Sequence, residues 1–113
     1  MELDLKSFVR ALREKNTKKV REWLEQTKSR VDSNDEFGRG YLQALQGMAA
    51  ALETGSELSV IKRVVNREYK QEQIEELIKS TRERVSRKFR PKDEQGFDTA
   101  WVEVLQGFSK EEV

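Results

Sequence analysis

The chain has 113 residues, 38% of them charged, yet 22 Lys and Arg stand against 21 Asp and Glu, so no global field draws it toward nucleic acid or an anionic membrane. Cysteine and histidine are both absent, which excludes a disulfide framework, thiol catalysis and any Ser-His, Cys-His or His-ligated zinc chemistry within the chain. The length suits one modest core, and a single helical domain over 1–113 is expected.

The opening Met-Glu-Leu-Asp-Leu-Lys is acidic and leads into no apolar run long enough for a signal segment or a membrane span, so a soluble, cytoplasmic protein without a membrane partner is expected. Helical spacing then dominates, and no run of period-two alternation competes with it. Asp4 is a capping candidate for a first stripe of Leu5, Phe8, Val9 and Leu12, which ends at Lys15-Asn16-Thr17. Val20, Trp23, Leu24, Thr27 and Val31 form the second. Ser33 and Glu36 have capping-box spacing before a third helix that carries Phe37, Tyr41, Leu45, Met48 and Leu52 on one face and stops at Gly55.

Beyond Gly55, the stripe Leu58, Ile61, Val64 and Val65 is out of phase with Ile74, Leu77, Ile78, Thr81 and Val85, which places a break near Asn66 to Lys70. The segment Arg90 to Gly96 holds the one proline and fits either a loop or a Pro-initiated first turn. A last helix carries Phe97, Trp101, Val104, Leu105 and Phe108. The fold class is therefore all-α, a bundle of about six helices.

The second half reads as a copy of the first. Val20, Trp23, Leu24, Thr27, Arg30 and Val31 are answered by Ile74, Leu77, Ile78, Thr81, Arg84 and Val85, and Leu-Gln-Gly recurs at 45–47 and 105–107 with an aromatic residue four and eight positions before each leucine. Amphipathic helices of similar length share stripes in any case, but the repeated tripeptide is not explained by that. Two tandem three-helix units, about 2–54 and 55–112 and related by a pseudo-twofold, are the expectation.

At about 100° per residue, Gly40, Ala44, Gly47 and Ala51 form a strip of small residues beside the large strip of the third helix, and Ala100, Val104 and Gly107 correspond to it in the sixth. Glycine inside a helix costs about 1 kcal/mol relative to alanine, so close approach of a second backbone is the expected compensation. Two arrangements fit: the third and sixth helices crossing within one chain, or a homodimer burying these strips between chains. Leu42 and Val102, at matching positions outside both strips, are the candidate partner-facing residues.

Candidate chemistry is sparse. Some all-helical nucleotide pyrophosphohydrolases hold magnesium through Glu-x-x-Glu pairs on facing helices, and Glu22 with Glu25, or Glu72 with Glu75 or Glu76, have that spacing. Each lies off its helix's apolar stripe, so a solvated face is expected, with neither metal nor other cofactor. The basic stretch holding Arg82, Arg84, Arg87, Lys88, Arg90 and Lys92, with Phe89 among them, suits phosphate contacts in a nucleic-acid-binding module. It equally suits the C-terminal end of a helix dipole. No phosphate loop, calcium loop or nucleophile elbow is present, and Gly38 and Gly40 form only a Gly-x-Gly fragment.

The phrase Gly-Tyr-Leu-Gln-Ala-Leu-Gln-Gly-Met-Ala-Ala-Ala-Leu, residues 40 to 52, resembles segments of small uncharacterised helical proteins of archaea. The resemblance implies an archaeal, thermophilic source and brings no activity with it; the charge-rich composition suits such a source and suits a mesophilic helical protein too. The residues point to a non-catalytic interaction or scaffold protein whose partner is another protein or a second copy of itself. A nucleic-acid-binding module is the alternative, and a carboxylate-metal hydrolase stands behind it.

Overall fold

Asp4 opens the first helix, its carboxylate accepting from the Ser7 backbone N–H at 3.3 Å, and the helix, α1, runs Leu5–Arg13. The structure is a computed structural model and describes residues 4–32, 34–54, 60–87 and 90–111. α1 ends where Lys15 takes a left-handed conformation, φ 56°. The Lys15 N–H then reaches Leu12 O at 3.0 Å and the Asn16 N–H reaches Ala11 O at 3.0 Å, the paired bonds of a Schellman stop. Asn16 at once caps α2, Thr17–Lys28, accepting from Lys19 N at 3.1 Å.

The break expected near Asn66 to Lys70 has the same build. α4, Val60–Val65, ends with Arg67 at φ 60°, the Arg67 N–H on Val64 O at 3.1 Å and the Glu68 N–H on Arg63 O at 2.8 Å. α5, Gln71–Val85, follows, its start fixed by the Lys70 N–H donating to the Gln73 side chain at 2.8 Å. Burial matches too: Val20 and Thr27 on α2 are buried, as are Ile74 and Thr81 on α5, while Trp23, Leu24 and Val31 are half-buried like Leu77, Ile78 and Val85. The Ser33 capping box, the Gly55 stop and Leu58 lie outside the described residues.

The long helices are α3, Glu36–Thr54, and α6, Lys92–Glu111. Of the two readings of Arg90 to Gly96, the structure has the Pro-initiated turn: the Pro91 carbonyl accepts from Gln95 N at 3.1 Å, so Gly96 is helical. α6 is the centre of the molecule, packing most extensively on α3, then on α5, and also on α1. Gln71 at the start of α5 binds Ser109 near the end of α6, and Arg84 at the end of α5 reaches Asp98 near its start, so α5 and α6 run antiparallel. The core between these helices is filled by Phe8, Leu12, Leu45, Met48, Ile61, Ile74, Leu105 and Phe108, all fully buried. Together the described residues form six helices, as the stripes require.

Close approach of α3 and α6 occurs in their first turns. A Cβ on Gly40 would stand 2.6 Å from the Asp93 carbonyl carbon, and one on Gly96 would stand 2.9 Å from the Phe37 carbonyl carbon. Both are far inside contact distance, and in each case the obstacle is backbone, which cannot swing aside. The expected strip therefore needs correction. Gly40, Ala44, Ala100 and Val104 are buried, but Ala51 is only half-buried and Gly47 faces open space, with nothing within 4 Å of where its Cβ would be. Gly107 meets a side chain instead of the α3 backbone, Val9 Cγ2 of α1 lying 2.9 Å from the corresponding point. Because α6 starts earlier than its apolar stripe suggests, the residue that answers Gly40 is Gly96, one turn before Ala100.

Candidate functional site

Where the first turns of α3 and α6 meet, the usual arrangement of apolar and charged residues is reversed between two neighbours. Phe97 is 38% exposed, the large hydrophobic side chain most open to solvent among the described residues, whereas Asp98 is only 6% exposed. Phe37, half-buried, lies against the same contact, since its carbonyl is what Gly96 touches, and its ring stacks on Tyr41 at 6.4 Å. Its place in the stripe predicts Phe97 in the core. It lies instead exposed at the N-terminal end of that stripe, ahead of Trp101, Val104 and Phe108.

Asp98 is buried and paired with two arginines, half-buried Arg90 and exposed Arg84. Arg90 Nη1 lies 2.5 Å from Asp98 Oδ2, and Arg84 Nε lies 3.7 Å from the same oxygen. Arg90 also donates to the Arg84 carbonyl at 3.0 Å, satisfying a backbone acceptor at the end of α5, and lies 3.7 Å from Glu94. The hydrogen bond to Asp98 raises the Arg90 pKa further above its already high ordinary value, helped by the negative charge of Asp98 and of Glu94. Two arginines of the basic stretch are thereby engaged within the chain. Arg90 is spent on joining α5 to α6, and Arg84 shares the same carboxylate. Arg82, Arg87 and Lys92 are exposed, and Lys88 with Phe89 lies outside the described residues.

Other ionisable groups that the fold brings together also join helix to helix. The Tyr41 hydroxyl donates to Glu103 Oε2 at 2.6 Å, and burial first, then that carboxylate, pushes the phenol pKa well above its ordinary value. Arg13 on α1 donates to the Phe108 carbonyl at 2.8 Å while its guanidinium lies 5.3 Å from the centre of the Phe108 ring. Arg21 on α2 pairs with Glu53 on α3. The Trp23 indole N–H donates to the Asp4 carbonyl at 3.0 Å, and its ring packs on Phe8 at 4.8 Å.

The carboxylates with metal-ligand spacing, Glu22, Glu25, Glu72, Glu75 and Glu76, are all exposed, and among the described residues no three Asp or Glu side chains draw together as a metal would require. Nor is any described helix long and apolar enough to cross a membrane. Leu42 is half-buried. Val102 is only 8% exposed, so it is not available to a partner as expected. Gly96, Phe97 and Asp98, which sequence reasoning passed over or misplaced, are the residues that define this site. Asp98 had a signal: it stands four and seven positions before the buried Val102 and Leu105, on the same side of α6.

Compared with known proteins, the chain matches no family model, no curated protein and no solved structure.

Proposed function

We propose that this chain is a non-catalytic helical module that binds protein, acting as an interaction or scaffold protein in the cytoplasm, and that it is built from two copies of one three-helix unit. The observation that carries the binding role is Phe97, exposed to solvent next to Gly96, whose backbone meets that of Phe37. A large aromatic side chain fixed at an exposed, well-anchored place is the form that interface anchors take. The ionisable groups point the same way, because the arginines and carboxylates brought together link helices instead of converging on a cleft.

Three features support the duplication. The contacts Gly40 on Asp93 and Gly96 on Phe37 are reciprocal, exchanging under a shift of 56 residues, one helical turn short of the 60 that matches the two Leu-Gln-Gly phrases. Both short helices end in the same left-handed stop, at Lys15 and Arg67. The buried pair Val20 and Thr27 recurs as Ile74 and Thr81. An archaeal, thermophilic source belongs to the same reading, and melting above the roughly 45–65 °C usual for mesophile domains would accord with it.

The test of the binding role is a photo-crosslinking residue placed at position 97 and, as control, at exposed Lys18, in cells of the source organism. Protein adducts formed from position 97 and not from position 18 are expected. Equal labelling from both positions would remove Phe97 as the anchor.

A further inference from the structure

α5 packs on α6, buries Ile74 and Thr81, and leaves a flank open, where a surface groove is lined by Glu75, Ile78, Lys79, Arg82, Glu83 and Ser86. Charge along this helix reverses at its middle. Glu72, Glu75 and Glu76 occupy the first half, Lys79, Arg82 and Arg84 dominate the second with Glu83 the one acid there, and half-buried Ile78 stands between them. We infer that this flank takes a second copy of the same chain, with two α5 helices packed antiparallel about a twofold axis passing between Ile78 and Lys79.

The occupant follows from complementarity. In a twofold contact, residue i of one copy meets residue j of the other and j meets i, so a surface is self-complementary only if its charges reverse about the axis. Residues 71, 75, 78, 82 and 86 recur at spacings of four and three and so share one flank of the helix. Turned about a point between 78 and 79, Glu75 of each copy comes opposite Arg82 of the other, and the Ile78 side chains meet close to the axis. Both Glu75 and Arg82 are exposed in the single chain, and Glu75 has only a long contact with Gln71, 3.5 Å, to give up. Lys79 comes near its own copy, a repulsion that, with one apolar residue at the centre, makes the dimer weak and sensitive to salt. This surface is separate from Phe97; it rests on the reading of the chain as a protein-binding module and names a partner for it.

The test is sedimentation of the full chain over a wide concentration range at low salt, with charge reversals. The wild-type chain should show reversible dimerisation that weakens as salt is added. Glu75→Arg alone and Arg82→Glu alone should each be monomeric, because each places like charges opposite one another. An equimolar mixture of the two should dimerise again, since Arg at 75 of one then faces Glu at 82 of the other, and so should the double swap. All these side chains are exposed, so circular dichroism should show unchanged folding. A wild-type chain that stays monomeric throughout overturns the inference. So does a dimer that survives both single reversals, which would place self-association on another face and leave the protein-binding reading intact. Failure of the mixture to dimerise while the wild type does so overturns the antiparallel register.

Discussion

Midway along α3 and α6 the two helices are kept apart by Leu45, Met48, Val104, Leu105 and Phe108, all buried; at their first turns nothing but glycine stands between the backbones. The middle is an ordinary interior, tolerant of modest change because side chains can shift into new rotamers. The first turns have no such freedom, since Gly40 is opposed by Asp93 main chain and Gly96 by Phe37 main chain. The same junction carries an exposed phenylalanine and a buried aspartate. Local departures from the binary pattern are expected at places that bind or hold strain, and here they gather within one turn of one helix.

The largest effect should come from closing that junction. Gly40→Ala or Gly96→Ala inserts a methyl group into a carbonyl, so each should destabilise by about 4 kcal/mol, beyond the usual 1–3 kcal/mol of overpacking because backbone must move. The double variant should cost little more than either single one, as the first alanine already separates the helices. Urea unfolding monitored by circular dichroism measures both. Losses under about 1 kcal/mol would mean the helices do not touch there.

Asp98 comes next. Asp98→Asn keeps the shape and removes the charge, stranding Arg90 between α5 and α6. Breaking a fully buried pair costs 3–5 kcal/mol; Arg90 keeps some access to water, so about 2–3 kcal/mol is expected. The corresponding change at exposed Glu94→Gln should be close to neutral, as exposed ion pairs contribute little. If the two substitutions prove equal in the same unfolding experiment, Asp98 is not the member that ties the helices together.

How far these distinctions could be read beforehand depends on which physical rule governs each residue. Six helices were legible because amphipathic stripes and stop signals act locally: Asp4, the Lys15-Asn16-Thr17 corner and the phase slip before Gln71 all lie where the helices begin or end. Pairing of α3 with α6 was one of two arrangements that the small strips allow, and its register was not legible, because Pro91 allows both a loop and a first turn and only the second makes Gly96 helical. Gly40 and Gly47 occupy the same side of α3, seven residues apart, yet one is locked and the other open, a difference set by where the partner helix touches. Asp98 escaped notice because apolar stripes are counted from apolar residues, and its partner Arg90 lies in a basic run that suits phosphate contacts or the end of a helix dipole.

That contrast between two glycines gives an effect of opposite sign. With nothing near its missing side chain, Gly47 contributes only the conformational cost of glycine in a helix, so Gly47→Ala should stabilise by about 1 kcal/mol. A loss of stability on this substitution would show that some neighbour does occupy the space, and would return Gly47 to the packing strip.

The smallest effects belong to the two corners and test the likeness of the halves directly. Lys15 and Arg67 both hold left-handed backbone, φ 56° and 60°, which costs a residue with a side chain about 1–2 kcal/mol that glycine escapes. Glycine loses about 0.5–1 kcal/mol more entropy on folding, so Lys15→Gly and Arg67→Gly should each stabilise by about 0.5 kcal/mol. Because the same pair of hydrogen bonds closes both corners, the gains should be alike and should add in the double variant, the corners being separate turns with separate bonds. Unequal gains would mean that one corner is held by contacts the other lacks, and the match between α1–α2 and α4–α5 would then be one of backbone path without shared energetics.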